Sequence, residues 1–266
     1  MLGKEFVSHN LGSNHSFAFH LQYSKMEVDI FIPCFIDQLY PEVGFSMVKV
    51  LEKLGCKVNY NPNQTCCGQP AFNAGHFDEA IEVGSKFLED FRTNSRYIVS
   101  PSASCVGMVC NSYQDFFKNS LFSSEYQIVK SKMREFSDFL VNVLGVDSVP
   151  GAKLSGIATY HDSCSALREC GIKEEPRILL RNVQGLELRE MEETDQCCGF
   201  GGTFAVKFES ISVGMAELKI ANARAQEPDF IISTDSSCLL QYQSVMEKQG
   251  NPIRTLHLAE VLASGW

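Results

Sequence analysis

Cysteine is the residue whose number and spacing in this chain could do chemistry, with 11 copies in 266 residues. Eight of them form two series in the same order: a single cysteine, an adjacent pair followed by glycine, and a last cysteine. The pair follows the first cysteine after 32 residues in one series and 33 in the other. The first quartet is Cys34, Cys66, Cys67 and Cys105, and the second quartet is Cys164, Cys197, Cys198 and Cys238.

Four thiolates suit an iron-sulfur cluster and equally suit a tetrahedral zinc ion, and the spacing does not choose between them. The chain shows no secretory signal, so we expect a cytoplasmic protein whose thiols stay free, and an odd number of cysteines would leave one outside a complete disulfide framework. A thiol-disulfide enzyme using an adjacent pair directly is the weakest alternative, because adjacent cysteines rarely form a relaxed disulfide.

Glycines beside the cysteine pairs are the next candidates for the site. Gly68, Gly199 and Gly201 would let backbone N–H groups approach the sulfurs of a metal centre. The run Gly199-Phe200-Gly201-Gly202 has neither the dinucleotide fingerprint nor the Gly-Lys-Ser/Thr of a phosphate loop. Without a flavin or nicotinamide site, we do not expect the chain to perform hydride chemistry alone.

His161 and Asp235 are the polar candidates beside the second quartet. His161 would donate a hydrogen bond to a sulfur or carry a proton, and Asp235 would serve as a hard ligand or accept a hydrogen bond. The competing interpretation of His161-Asp162-Ser163-Cys164 is a helix start that Asp162 or Ser163 caps. Cys56, Cys110 and Cys170 have no counterparts in the other series, and we expect them to pack in the core.

The elements that must position these residues alternate between strand and helix. Patterning predicts strands at 28–33, 56–60 and 97–100 and helices at 42–54, at 77–91 and from about 106. The second part offers strands at 156–160, 185–190 and 230–233 and helices at 176–182 and 212–225. This alternation predicts an α/β fold with two pseudo-symmetric copies of a parallel-sheet unit covered by helices. The cysteines would then lie in loops at the carboxyl ends of the strands.

Composition and charge limit the organisation and the partners. The net charge of -9 leaves no basic surplus for nucleic acid, and no apolar run approaches the ~20 residues of a membrane span. Residues 1–25 are expected to be an unstructured leader. Turn residues near 149–152 divide the rest into a first cysteine-rich repeat at 26–150 and a second at 151–266.

The doubled Cys…Cys-Cys-Gly…Cys pattern resembles the cysteine-rich CCG-domain family, which includes a subunit of heterodisulfide reductase and the iron-sulfur subunit of glycolate oxidase. The resemblance extends over residues 28–264. The stretches that carry it include Gln64–Asn73, Tyr160–Cys164 and Cys197–Phe204. Ser102 and Asp235 replace the first cysteine of the family's Cys-x-x-Cys ends, so four thiolates per site are expected. Ser165 stands where a histidine is expected in close relatives.

The resemblance implies an oxidoreductase subunit that transfers electrons and is not active alone. Its system would oxidise L-lactate, or a related 2-hydroxy acid such as glycolate, to the 2-oxo acid, with a ferredoxin-like iron-sulfur protein and a third subunit. We expect one or two iron-sulfur clusters of the 4Fe-4S type, with zinc as the candidate for one site. The alternative is a zinc-binding scaffold subunit of the same complex without its own redox role.

Overall fold

A computed structural model describes residues 26–92 and 96–266 of the chain. These residues form two four-stranded sheets in which all paired strands are parallel, with the matching orders β2-β1-β3-β4 and β6-β5-β7-β8. The strands of the first sheet are β1 Glu27–Ile30, β2 Lys57–Tyr60, β3 Tyr97–Ser100 and β4 Met133–Glu135. The strands of the second sheet are β5 Lys153–Tyr160, β6 Gln184–Leu188, β7 Phe230–Ser233 and β8 Arg254–His257.

Helices follow the strands in both halves. In the first half they are α1 Cys34–Leu39, α2 Pro41–Lys53, α3 Gln69–Ala74, α4 Phe77–Phe91, α5 Ala103–Gly107, α6 Tyr113–Phe117, α7 Ser123–Lys132 and α8 Phe136–Asp138. In the second half they are α9 Glu174–Arg181, α10 Thr203–Lys207, α11 Glu209–Arg224, α12 Ser236–Lys248 and α13 Leu258–Leu262. Three π-helical turns add Met108–Ser112, Phe139–Val143 and Ser165–Glu169. The predicted α/β fold with two similar units is therefore confirmed.

Residue patterning explains the central elements. The strands β1, β3 and β7 are almost wholly buried, and β3 and β7 are mostly apolar, as expected for strands covered by helices on both faces. Helix α4 lies at the predicted bounds, and its buried residues recur at helical spacing. The sequence pattern does not predict the edge strands β4 and β8, which are three and four residues long and carry Arg134 and Arg254.

One apolar core extends through both halves. Helix α2 packs against α13, and buried side chains of both sheets, such as Val28 and Tyr160, belong to the same cluster. Val149 and Ala152, beside the predicted boundary at 150, are buried in this core too. The division into repeats at 26–150 and 151–266 stays a prediction. The predicted leader at 1–25 lies outside the described residues.

Cys56, Cys110 and Cys170 occupy the packing positions expected of them. Cys56 lies in the shared core, and Cys110 and Cys170 pack against the cluster of the first half. Within the described part of the chain, no helix has both the length and the apolar character needed to cross a membrane.

Candidate metal centre

Each cysteine of the two quartets lies beyond the carboxyl end of a strand. In the first half, Cys34 opens α1 after β1, the Cys66-Cys67 pair follows β2, and Cys105 lies in α5 after β3. The second quartet repeats this placement after β5, β6 and β7. All strands of a parallel sheet end at one edge, so residues far apart in sequence converge there.

Sulfur atoms within each quartet are neighbours. In the first quartet the Cys34 thiol lies 3.5 Å from Cys66 Sγ, and the Cys67 thiol lies 3.3 Å from Cys105 Sγ. In the second quartet Cys198 Sγ and Cys238 Sγ are 3.0 Å apart, and Cys164 hydrogen-bonds to Cys197. The fold therefore brings together the four thiols that the sequence grouped in each half.

Both quartets line the same cavity. The cavity has a volume of about 320 Å³, and residues of both halves line it, among them all eight cysteines of the two quartets. Phe35 of the first half meets Phe200 of the second edge-on across it, with ring centroids 5.8 Å apart. Cys34 is exposed, whereas Cys67 and Cys198 are buried. Each quartet thus has a deep side in the protein and a side open to the cavity.

Glycines bring backbone donors to the sulfurs. The N–H groups of Gly68 and Gly199 each point at the Sγ of the first cysteine of the preceding pair, at 3.4 Å. The φ angle of Gly199 is +85°, and a Cβ there would lie 2.6 Å from the carbonyl oxygen of Ser212. Gly201 also lines the cavity, next to the side chain of Phe204. Only glycine permits the close approach of the second pair to α11.

Proximity and burial set the thiol pKa values. The hydrogen bond of Cys67 to Cys105, together with burial, raises the pKa of Cys67. Hydrogen bonds from Cys164 and Cys198 lower the pKa of the Cys197 thiol. Several thiols packed this closely cannot all ionise without a cation, and a metal ion removes their protons when it binds.

His161 lies directly behind the second quartet. It is fully buried, and neither ring nitrogen has a hydrogen-bond partner among the described residues. A ring nitrogen and the Sγ atoms of Cys198 and Cys238 all lie within 4.8 Å of one another, a grouping that could bind a metal ion. Burial lowers the pKa of His161 to about 3, so the imidazole is neutral at pH 7.

The helix-start interpretation of this segment is right for Ser163 and wrong for Asp162. Ser163 Oγ accepts a hydrogen bond from the backbone N–H of Ala166 at 3.2 Å. Asp162 instead accepts two hydrogen bonds of 2.8 Å from the guanidinium of Arg177, which also binds Glu190. A buried bidentate ion pair satisfies both oxygens of Asp162.

Asp235 connects the two halves beside the cysteines. Its carboxylate is buried and accepts hydrogen bonds from Ser104 and Ser163 at 2.9 Å and from Ser102 at 3.2 Å. Burial raises the pKa of Asp235. Ser102 and Asp235, the two residues in place of the missing cysteines, therefore meet each other across the cavity wall.

Sequence reasoning missed two buried charged residues. Lys219 is 1% exposed and donates a hydrogen bond from Nζ to the carbonyl oxygen of Glu193. Its position in α11 shares the buried face with Ala216, Ile220 and Ala223, so helical spacing indicates the face but does not show that a lysine there is buried. Glu135 ends β4 and is 1% exposed, and no pattern in the sequence marks it.

A metal group held by cysteines fits these residues. Each quartet supplies four converging thiols, and glycine N–H groups already point at two of the sulfurs. The buried imidazole of His161, which has no hydrogen-bond partner among the described residues, adds a nitrogen beside the second quartet. This donor set suits iron in clusters and zinc alike.

Comparison with known proteins agrees with this arrangement. The cysteine-rich CCG domain matches residues 28–110 and 158–243, one match in each half. The chain belongs to the CCG cysteine-rich domain family. Two relatives of this CCG protein are both named lactate utilization protein A. The one from Geobacillus kaustophilus is 44% identical over 237 residues, covering 89% of this chain and 98% of the relative. The one from Bacillus cereus strain G9842 is 42% identical over 240 residues, covering 90% and 99%.

A solved structure also shares the fold of this CCG protein. The crystal structure of a hypothetical protein from Helicobacter pylori superposes with a TM-score of 0.59 at 12% sequence identity. The match covers 97% of this chain and 55% of the Helicobacter chain, so the present chain spans about half the length of that protein. This likeness concerns the fold alone.

Proposed function

We propose that this CCG protein is the iron-sulfur electron-transfer subunit of a multi-protein system in the cytoplasm. The system would oxidise L-lactate, or a related 2-hydroxy acid such as glycolate, to the 2-oxo acid. One observation carries the proposal: eight cysteines of both halves line one cavity. Identities of 42–44% to proteins named lactate utilization protein A support the choice of substrate class.

The quartets would each hold one cluster of the 4Fe-4S type. Such clusters take thiolate ligands, and the four cysteines of each half supply them. An iron-sulfur cluster, when bound, supplies one-electron transfer at a potential that its surroundings set. The N–H groups of Gly68 and Gly199 donate to sulfur and so stabilise the negative charge of the ligands.

Electrons would pass between this chain and partners. The sequence has no dinucleotide fingerprint and no phosphate loop, so we assign the step at the substrate carbon to another subunit. A ferredoxin-like iron-sulfur protein and a third subunit are the partners we propose. The cavity gives them access, since Cys34 at its edge is exposed.

A zinc-binding scaffold is the second candidate, and His161 favours it. A histidine nitrogen within 4.8 Å of the sulfurs of Cys198 and Cys238 is a donor set that structural zinc sites also use. In that case the second site would stabilise the subunit, and the protein would organise its partners without a redox role.

The test of the proposed function compares the isolated chain with the assembled system. Chain purified without oxygen is mixed with L-lactate and an artificial electron acceptor, with and without its partner subunits. We expect lactate oxidation only with the partners, and loss of that activity when Cys198→Ser replaces the natural chain. Robust oxidation of lactate by the isolated chain would contradict the proposed division of labour.

A further inference from the structure

The two quartets have different surroundings at equivalent places in the fold. Phe31 follows β1 and donates its backbone N–H to Val99 of β3 at 2.9 Å. His161 follows β5 and donates its backbone N–H to Ile232 of β7 at the same distance. The matching hydrogen bonds make Phe31 and His161 structural equivalents, one apolar and one polar.

The helices behind the quartets give a second equivalent pair. A Cβ on Gly68 would approach Ala80 and Val83 of α4, and a Cβ on Gly199 would approach Ser212 and Met215 of α11. The matching helix positions are 132 residues apart in both cases. By the same interval, Phe87 of α4 is the structural equivalent of Lys219 of α11, and both side chains are at most 1% exposed.

The two pairs give the two quartets different electrostatic surroundings. Behind the first quartet, Phe31 and Phe87 stack edge-on with centroids 4.8 Å apart. Behind the second quartet, the charge of Lys219 acts on His161, and Lys219 and Cys198 also interact electrostatically. Burial lowers the pKa of Lys219 to about 8, so the ammonium remains mostly protonated at pH 7.

Among the described residues that face Lys219, no buried carboxylate is left over to cancel its charge. Asp162 lies near it but is held by two hydrogen bonds from Arg177. Glu193 and Asp195 also face Lys219, and both are exposed, so water screens their charges. The buried carboxyl group of Asp235 acts on Cys164, but its hydrogen bonds from Ser102 and Ser104 place it at the wall that the two quartets share. The ammonium of Lys219 therefore adds a positive potential that only the second quartet has.

We infer that Lys219 raises the reduction potential of the centre held by the second quartet above that of the first, so that electrons collect at the second. The inference rests on the proposed function, since it needs an iron-sulfur centre in that quartet. Reduction adds negative charge, and a buried cation nearby stabilises the reduced form more than water would. The aromatic pair behind the first quartet offers no such stabilisation.

The test is a redox titration of the anaerobic protein, followed by the iron-sulfur spectrum. In the natural chain we expect two transitions, with the higher-potential one lost in Cys198→Ser and the lower one lost in Cys67→Ser. Lys219→Met should lower the reduction potential of the second centre. At a given potential, the ratio of its reduced to its oxidised form should fall at least tenfold, which corresponds to a shift of about 59 mV for one electron. Phe87→Met, the matched change behind the first quartet, should leave the second centre unchanged.

Two results separate this inference from the proposed function. If the protein holds iron-sulfur clusters and Lys219→Met leaves the potential of the second centre unchanged, the role of Lys219 is overturned but the proposed function is not. Loss of the higher-potential transition in Cys67→Ser would have the same meaning. Protein that holds zinc and no iron would overturn the proposed function together with this inference. If Lys219→Met fails to fold, the order of the two transitions in the natural chain decides, and coincident transitions would refute the inference.

Discussion

Individual residues make two similar sets of ligands unequal. Cys67 and Cys198 are both buried, but only Cys198 lies beside a histidine and near a buried lysine among the residues that the structure describes. Because electrons should collect at the second quartet, Cys198→Ser should abolish the iron-sulfur signal that lactate produces in the assembled system. Cys67→Ser should retain that signal and mainly lower stability or remove a metal. Equal loss in both variants, or loss only in Cys67→Ser, would show that the asymmetry has no consequence.

Glu135 gives a prediction for the pH dependence of stability. Burial raises its pKa from 4.5 to about 8, although Oε2 accepts hydrogen bonds from Ser137 and Asp138. Between these pH values the folded state binds more protons than the unfolded state. The stability that protonated Glu135 contributes is therefore fully present below pH 4.5 and is lost as the pH rises to 8. The free energy at stake is on the order of 3 to 5 kcal/mol. Glu135→Gln should remove this decline.

The measurement is chemical unfolding of both proteins from pH 5 to 8.5 under one set of metal conditions. His161 and His257 have pKa values lowered by burial to about 3 and about 4, so they destabilise the fold as pH falls. Both proteins share that contribution, and the difference between them isolates Glu135. Parallel curves for the two proteins would show that Glu135 is ionised throughout.

The residue types explain why sequence could find the ligands but not Lys219 or Glu135. Eight cysteines in two series of matching spacing are a strong sequence signal, and this signal predicted their grouping. The fold brings each set of four together. A lysine or glutamate is usually exposed, and only the tertiary packing around it shows that it is buried. Whether the eight cysteines hold metal stays a prediction.

At the scale of elements, the turn after each cysteine pair joins the ligands to the next long helix. Gly199 has φ +85° and lies against Ser212 of α11. Gly199→Ala would place a methyl group 2.6 Å from a carbonyl oxygen, so we expect a loss of at least about 1 kcal/mol of stability and weaker metal retention. The measurement is chemical unfolding together with metal content after dialysis.

Gly214 supplies the matched control in the same region. It lies within α11, and a Cβ there would meet no atom within 4 Å. Gly214→Ala should keep the metal and stabilise the helix by about 0.5 to 1 kcal/mol. Equal behaviour of the two variants would mean that the turn at Gly199 does not position the second pair.

The elements themselves were predicted well where patterning is strong. Central strands rich in Val and Ile, and the amphipathic helix α4, lie within a few residues of the expected bounds. The edge strands β4 and β8 were missed, because three or four residues with a charged member carry too little pattern. Both strands end in a residue that caps the next helix, Glu135 and His257.

At the scale of the whole molecule, the halves are joined in two places. One is the shared core, with α2 against α13. Near the cavity, Asp235 accepts hydrogen bonds from two serines of the first half, and His257 Nε2 donates to the carbonyl oxygen of Pro101 at 2.9 Å. Sequence predicted one site per half but not the common cavity, because the packing of two units on each other has no local pattern.

The nature of the metal is the central claim, and anaerobic metal analysis tests it most directly. Protein purified without oxygen is assayed for iron, acid-labile sulfide and zinc, and its visible spectrum is recorded. We predict a brown protein with iron and sulfide in similar amounts, because four thiolates at strand ends in each half suit a cluster. Colourless protein with stoichiometric zinc and no iron, prepared in the same way, would contradict the account.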